Sequence, residues 1–141
     1  MANTVCTSFK SELLSGVHDF ATAGDTFKLS LYTSSSTINN ASKTVYTTSD
    51  EVADSGSYAA GGGSLANQAV STDGTTAIVD FDDLSFTSAT ITARYALIYN
   101  SSDSNKAVCI LDFGTDQTST SGTFTIQFPS AGASTAIIRV A

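Results

Sequence analysis

The sequence predicts a mainly β domain, an antiparallel sandwich or barrel-like meander with one short N-terminal helix. Three observations predict it. Short runs rich in Val, Ile, Phe, Tyr and Thr recur along the second half, separated by clusters of Ser, Asp, Gly and Asn, which is the punctuation of strands and turns. Of 141 residues, 43 are Ser or Thr, while charged residues make up 13%. Helical spacing of apolar residues occurs in one place, near the N-terminus. With eight Phe and five Tyr, and apolar residues at 41%, the chain has the material for a core, and its length suits a single domain over residues 1–141.

Residues 8–15 read as the helix. Thr7 or Ser8 can cap it, Phe9 and Leu13 share a face four apart, and Gly16 can end it. With about two turns it must dock to be stable, and the N-terminal arm with its helix spans about residues 1–16. His18 follows as a polar residue at the helix exit. Residues 26–32 alternate Phe27, Leu29 and Leu31 against Lys28, Ser30 and Tyr32, the pattern of a half-buried strand. From 33 to 70 the pattern weakens, with a short strand possible at 44–46 and a helical turn at 49–53. A long Gly-rich loop, about residues 47–70, carries Tyr58 and the glycines Gly61, Gly62 and Gly63. It has no Gly-Lys-Ser/Thr ending, so a phosphate loop does not fit, and Tyr58 reads as an anchor. Strands follow at 76–81, 84–86, 90–99, 107–113, 123–128 and 135–140.

The strands at 90–99 and 107–113 allow a register argument. Centring their loop on Asp103 opposes Ile98 to Val108, Leu97 to Cys109, Ala96 to Ile110 and Arg94 to Asp112. Both faces of this hairpin are apolar, which places it centrally with cover on both sides. Arg94 and Asp112 form a structural ion pair in this register, since a lone Arg in an apolar strand is costly to bury.

The composition also excludes. One His, two Cys and no Trp leave little for the common catalytic and metal sites, so an enzyme is not expected and no cofactor is implied. A net charge of −7 disfavours binding to nucleic acid and to anionic membrane surfaces. Residues 1–10 lack the apolar core of a signal peptide, so the expectation is synthesis and retention in a cytoplasm. Cys6 and Cys109, flanked by Val5, Val108 and Ile110, read as reduced packing residues. Asp80 and Asp82 share a strand face and form a weak calcium candidate, against the alternative of a solvated turn with an Asp cap. Asp112-Phe113-Gly114 spells a kinase metal-binding triplet, but the chain is too short for that fold and lacks its other motifs.

Four segments carry a resemblance: residues 1–10 (Met-Ala-Asn-Thr-Val-Cys-Thr-Ser-Phe-Lys), Asp50-Glu51-Val52 leading to Gly56-Ser57-Tyr58 and Gly61–Gly63, residues 92–99 (Thr-Ala-Arg-Tyr-Ala-Leu-Ile-Tyr), and residues 124–129 (Phe-Thr-Ile-Gln-Phe-Pro). Together they resemble a family of small virion structural proteins of tailed bacteriophages, over nearly the whole chain. The resemblance implies a capsid decoration, or cement, protein on the outer capsid surface. Its partner would be the major capsid protein, and it would form a homo-oligomer, with a trimer among the states the resemblance implies. Val5, Phe9, Tyr58, Gly61, Gly62 and Gly63 are the interface residues this reading selects, because buried aromatic anchors dominate such contacts. Two alternatives stand beside it: a tail or head-tail junction component, and a surface carbohydrate- or calcium-binding module using Asp80 and Asp82.

Overall fold

A computed structural model describes residues 2–141. Its strands form two antiparallel sheets packed as an open sandwich-like meander, not a closed barrel. In chain order the elements are β1 (Ala2–Val5), α1 (Thr7–Leu14), β2 (Phe27–Tyr32), β3 (Gly63–Ser64), β4 (Ala69–Asp73), β5 (Thr76–Asp80), β6 (Leu84–Asn100), β7 (Lys106–Ile126) and β8 (Ile138–Val140). The large sheet runs β1-β7-β6-β2-β3 and the small one β4-β5-β8.

The hairpin β6–β7 is the centre of the large sheet. Residues 96–100 and 107–111 are all buried, so both faces are covered. Directly opposed residues share a face. Phe27, Leu29 and Leu31 therefore lie with Asn100, Ile98 and Ala96, and with Cys109 and Leu111 beyond them, on one face. Lys28, Ser30 and Tyr32 lie with Tyr99, Leu97 and Tyr95, and with Ile110, on the other. The first face packs against the segment after α1 and the start of the β5–β6 connection, where Phe20 stacks on Phe27 at 4.2 Å and Phe81 meets the same ring edge-on at 6.1 Å. The second face is covered by the long stretch between β2 and β3, whose Tyr46 stacks on Tyr99 at 4.8 Å. Strand β2 is thus buried on both faces and not on one. Ser30 and Tyr32, expected on a solvated side, are fully enclosed, and each hydroxyl finds a partner: Ser30 donates to Tyr32 Oη, and Tyr32 donates to the Thr47 carbonyl at 2.7 Å.

The register of the central hairpin matches the loop-centre arithmetic only next to the loop, where Tyr99 faces Ala107 and Asn100 faces Lys106. A bulge between Ile98 and Tyr99 then moves the pairing by one, so Ile98 faces Cys109, Leu97 faces Ile110 and Ala96 faces Leu111. Further register shifts follow between Ala93 and Tyr95 and around Ala89, and each bulge adds twist and bend. Within the second irregularity Arg94 and Asp112 are diagonal neighbours, not directly opposed: Asp112 sits across from Tyr95. Their contact is direct all the same, Arg94 Nε donating to Asp112 Oδ1 at 2.9 Å, with the guanidinium 5.5 Å from the Tyr95 ring centre. The Gly114 N–H also donates to Asp112 at 2.8 Å. That bond and the Arg94 charge hold the carboxyl below the usual range.

Several boundaries differ from the sequence reading. The segments at 84–86 and 90–99 are one strand, as are 107–113 and 123–128, because backbone pairing continues through the Thr- and Ser-rich residues between them. Strand β4 begins at the end of the expected loop and runs into residues for which no strand is expected: all five of its residues are exposed, so no apolar alternation marks it. It exists through pairing with β5 across a two-residue turn in which Gly74 takes φ +61°. The expected helical turn at 49–53 is absent. Asp50 adopts φ +59° and Glu51 instead pairs with Tyr32. Val45 makes one isolated bridge, to Lys106.

Helix α1 is as expected within a residue. Its N-cap is Cys6, without a side-chain cap bond. It ends in a Schellman closure: Gly16, at φ +74°, donates to the Leu13 carbonyl and Val17 N–H donates to that of Glu12. Cys6 and Cys109 are free, buried thiols. Burial, reinforced by the Glu12 charge, pushes the Cys6 thiol up to about 11, and burial raises Cys109 as well.

Two tests follow from this packing. Asp112→Asn lowers Tm by a few degrees at pH 7. Because the folded carboxyl titrates below its unfolded value, its contribution is present at neutral pH and is lost as pH falls. The gap to wild type therefore narrows below about pH 4, measured by thermal denaturation across pH. In native protein at pH 7.5 both thiols react with a thiol reagent at least about a hundredfold more slowly than free cysteine, and both label promptly in denaturant.

Candidate functional site

The residues selected as a partner surface turn out to serve two different ends. Phe9 and Tyr58 are internal, 2% and 1% exposed. Phe9 is the buried residue of α1 and packs against the rings of His18 at 5.0 Å and Phe20 at 6.0 Å. Tyr58 meets Phe86 edge-on at 4.8 Å. Neither ring is presented to a partner; a two-turn helix and a loop without a ladder each need one large apolar side chain to dock them, and these are those side chains. The Gly61–Gly63 run faces the sheet as well, Gly61 buried and Gly62 and Gly63 half-buried. Gly62, at φ +76°, lies against the backbone of Leu29, where a Cβ would overlap the carbonyl, and Gly63 pairs with Leu29 in the sheet. Val5 remains partly exposed, as the last residue of the edge strand β1.

What holds the loop is a single carboxylate. Glu51 Oε1 accepts from Tyr58 Oη at 2.8 Å and from the Gly61 N–H at 2.7 Å, while Oε2 accepts from Tyr46 Oη. Tyr58 Oη in turn accepts from the Leu31 N–H at 2.8 Å, and Tyr99 Oη donates to the Gly61 carbonyl at 2.6 Å. Burial pushes the Tyr32 and Tyr99 hydroxyls up to about 12, with the Glu51 charge adding to it, and raises Tyr46 and Tyr58 as well. These phenols therefore remain protonated donors, Tyr46 and Tyr58 to the carboxylate, Tyr32 to the Thr47 carbonyl and Tyr99 to the Gly61 carbonyl. Four of the five tyrosines thus converge on one loop, an arrangement scattered in sequence from 32 to 99.

His18 is likewise a network residue and not an exposed exit. Its side chain is fully buried. Asn100 Nδ2 lies 3.1 Å from His18 Nδ1, and an amide nitrogen can only donate, so Nδ1 accepts and Nε2–H donates to Glu12 at 2.8 Å. Asn100 also donates to Asp25 Oδ2 at 2.8 Å and accepts from the Ser102 N–H, which fixes the amide orientation. Both imidazole nitrogens are committed to tying the helix exit to β6.

Of the calcium candidates, Asp80 is the last residue of β5, paired with Ala69, and Asp82, in the connection that follows, accepts from the Asn67 amide, while its neighbour Asp83 accepts from the Phe128 N–H at 2.8 Å. Among the described residues, no three His, Cys, Asp or Glu side chains come together as a metal site would need.

The surface feature the sequence reading missed is apolar. A groove of about 650 Å³ opens between α1, the segment following it and the small sheet, lined by Leu13, Phe20, Ala77, Val79, Ile138 and others. A second lobe of about 310 Å³ continues past Leu13, Ile138 and Val140 to Leu14, Lys10 and Arg139. Leu14 is 90% exposed, Val70 56% and Val140 53%, and all three rim this groove. The Leu13-Leu14 doublet was the available signal: on a two-turn helix, adjacent residues lie about 100° apart, so only one of them can face inward.

The chain matches no known protein family, no curated protein and no solved structure.

Tyr58→Phe leaves the Leu31 N–H without its partner inside the fold and removes one of the two hydrogen bonds that Glu51 Oε1 accepts. It lowers unfolding free energy by about 1–3 kcal/mol, read from urea denaturation.

Proposed function

We propose that the protein is a bacteriophage capsid decoration protein, binding the outer surface of the head and stabilising the lattice of the major capsid protein. The observation that supports this best is where the polar chemistry of the chain lies. His18, Glu12, Asn100, Glu51 and the tyrosines around it, and Arg94 with Asp112, all tie elements of the domain to one another. The polar groups left outside are mostly hydroxyls, with scattered charges among them. This is the profile of a part that sits on other protein. The segments carrying the resemblance to virion proteins are also the frame of the fold: β1 with the start of α1, the Glu51 loop, the core of β6 and the end of β7.

With Phe9 and Tyr58 internal, the shell contact falls on the outer face of the β6–β7 ribbon. There Thr92 opposes Thr118 and Ser85 opposes Thr125, the last pair hydrogen-bonded at 2.8 Å, and all four are exposed. Such a face can lie on another protein without burying charge, forming a polar, wet interface of modest strength per contact repeated over many copies. An acidic surface keeps the protein off packaged DNA and soluble before assembly. Stabilisation follows from mass action: a protein that binds the expanded lattice and not its precursor shifts the balance towards the expanded form.

Purified particles carry the protein in hundreds of copies, read from a stained gel against the major capsid band, and the isolated protein binds expanded shells but not immature ones. A few copies per particle, imaged at the tail or portal vertex, would assign it instead to the tail or head-tail junction.

A further inference from the structure

We infer that the apolar groove between α1 and the small sheet is a self-association site, in which two copies of this chain pair about a two-fold axis. Three of the four large apolar side chains exposed among the described residues, Leu14, Val70 and Val140, rim this one groove, although they come from three different elements. Scattered apolar residues are ordinary on a protein surface; their concentration at the lips of a concave apolar site is not.

Charge identifies the occupant. The lobe holding Leu14 also carries Lys10 and Arg139, two of the six cations of the chain, and neither is in an ion pair among the described residues. The other lobe carries Asp19. The two lobes share Leu13, Ile138 and Val140, so the groove has a cationic end, an apolar middle and an anionic end. A site with that polarity is complementary to itself when turned round. A two-fold axis through the shared middle sets each copy's Lys10 and Arg139 against the other's Asp19. It also brings each exposed Leu14, at the cationic end of its own groove, over the larger apolar lobe at the anionic end of the other. This is the reciprocal, isologous contact that closed dimers use, and both copies contribute the same side chains to it. The crosswise charges matter because a chain of net charge −7 otherwise repels its own copies.

The pairing is independent of the capsid reading, since it draws on the groove alone: shell binding can fail while pairing persists, and the reverse. The test is sedimentation equilibrium of the full chain from low to high micromolar concentration. The expected species is a dimer of twice the 14.5 kDa chain mass. Leu14→Asp, at a position already exposed, leaves the far-UV spectrum and the Tm of the dilute monomer unchanged and weakens the dimer at least about tenfold. Lys10→Glu weakens it as well, and adding Asp19→Lys to Lys10→Glu recovers part of the loss. A monomer at 100 µM (about the upper end of a practical range for a contact of this kind), a trimer, or a dimer that Leu14→Asp leaves intact would each overturn the proposal. In the first case the groove is free for a different protein, and in the others the chain associates through another face.

Discussion

The structure depends on one constraint: a hairpin that is apolar on both faces has to be covered twice by a chain of 141 residues. Strands β6 and β7 supply the ladder, with β2 and β1 extending it on either side, and over residues 96–100 and 107–111 both faces of that sheet are buried. One cover is built from the segment after α1 and the small sheet, where Phe20, Phe27 and Phe81 form an aromatic cluster. The other is the stretch between β2 and β3, which has almost no ladder of its own. Everything else follows from how those covers are fixed in place. The helix exit is tied down by His18, and the long loop by Glu51.

Both ties use the same device. A buried polar group is tolerated only when its hydrogen bonds are complete, and each network here closes on itself. Asn100 serves His18, Asp25 and the Ser102 backbone; Glu51 serves two tyrosines and the Gly61 backbone. Such networks specify a unique arrangement more than they add stability. They explain how segments poor in apolar residues can still have a defined conformation against the sheet.

The fold class was legible because strand alternation and turn residues are local signals. The central hairpin, the helix at 7–14 and the contact between Arg94 and Asp112 could be read from spacing. The register beyond Ile98 could not, because a bulge is an insertion relative to a partner and leaves no mark on one strand alone. Strand β4 was invisible for a related reason: with all of Ala69–Asp73 exposed, only its pairing makes it a strand. The candidate surface was misread through Phe9 and Tyr58. A solitary aromatic in a polar segment is equally consistent with an anchor for a partner and an anchor for the segment itself, and here it is the second. The tyrosines meeting at Glu51 and the three aliphatic residues meeting at the groove come from separate elements, so neither grouping exists until the chain is folded.

The Glu51 tie bears on where the chain can change length. Between residues 51 and 61 both ends of the segment converge on one carboxylate, and Gly62 is pressed against the backbone of Leu29. An inserted residue there would pull the Gly61 N–H away from Glu51 and uncover a face of the central sheet. Near Gly114 the situation is the reverse. That residue has open space about it, at φ +82°, within a stretch of β7 that already bulges out of register and whose next residues are exposed. Length variation, and any peptide displayed on this scaffold, belongs at that bulge, while the glycine loop, which looks the more permissive of the two in sequence, is the one held to a fixed span.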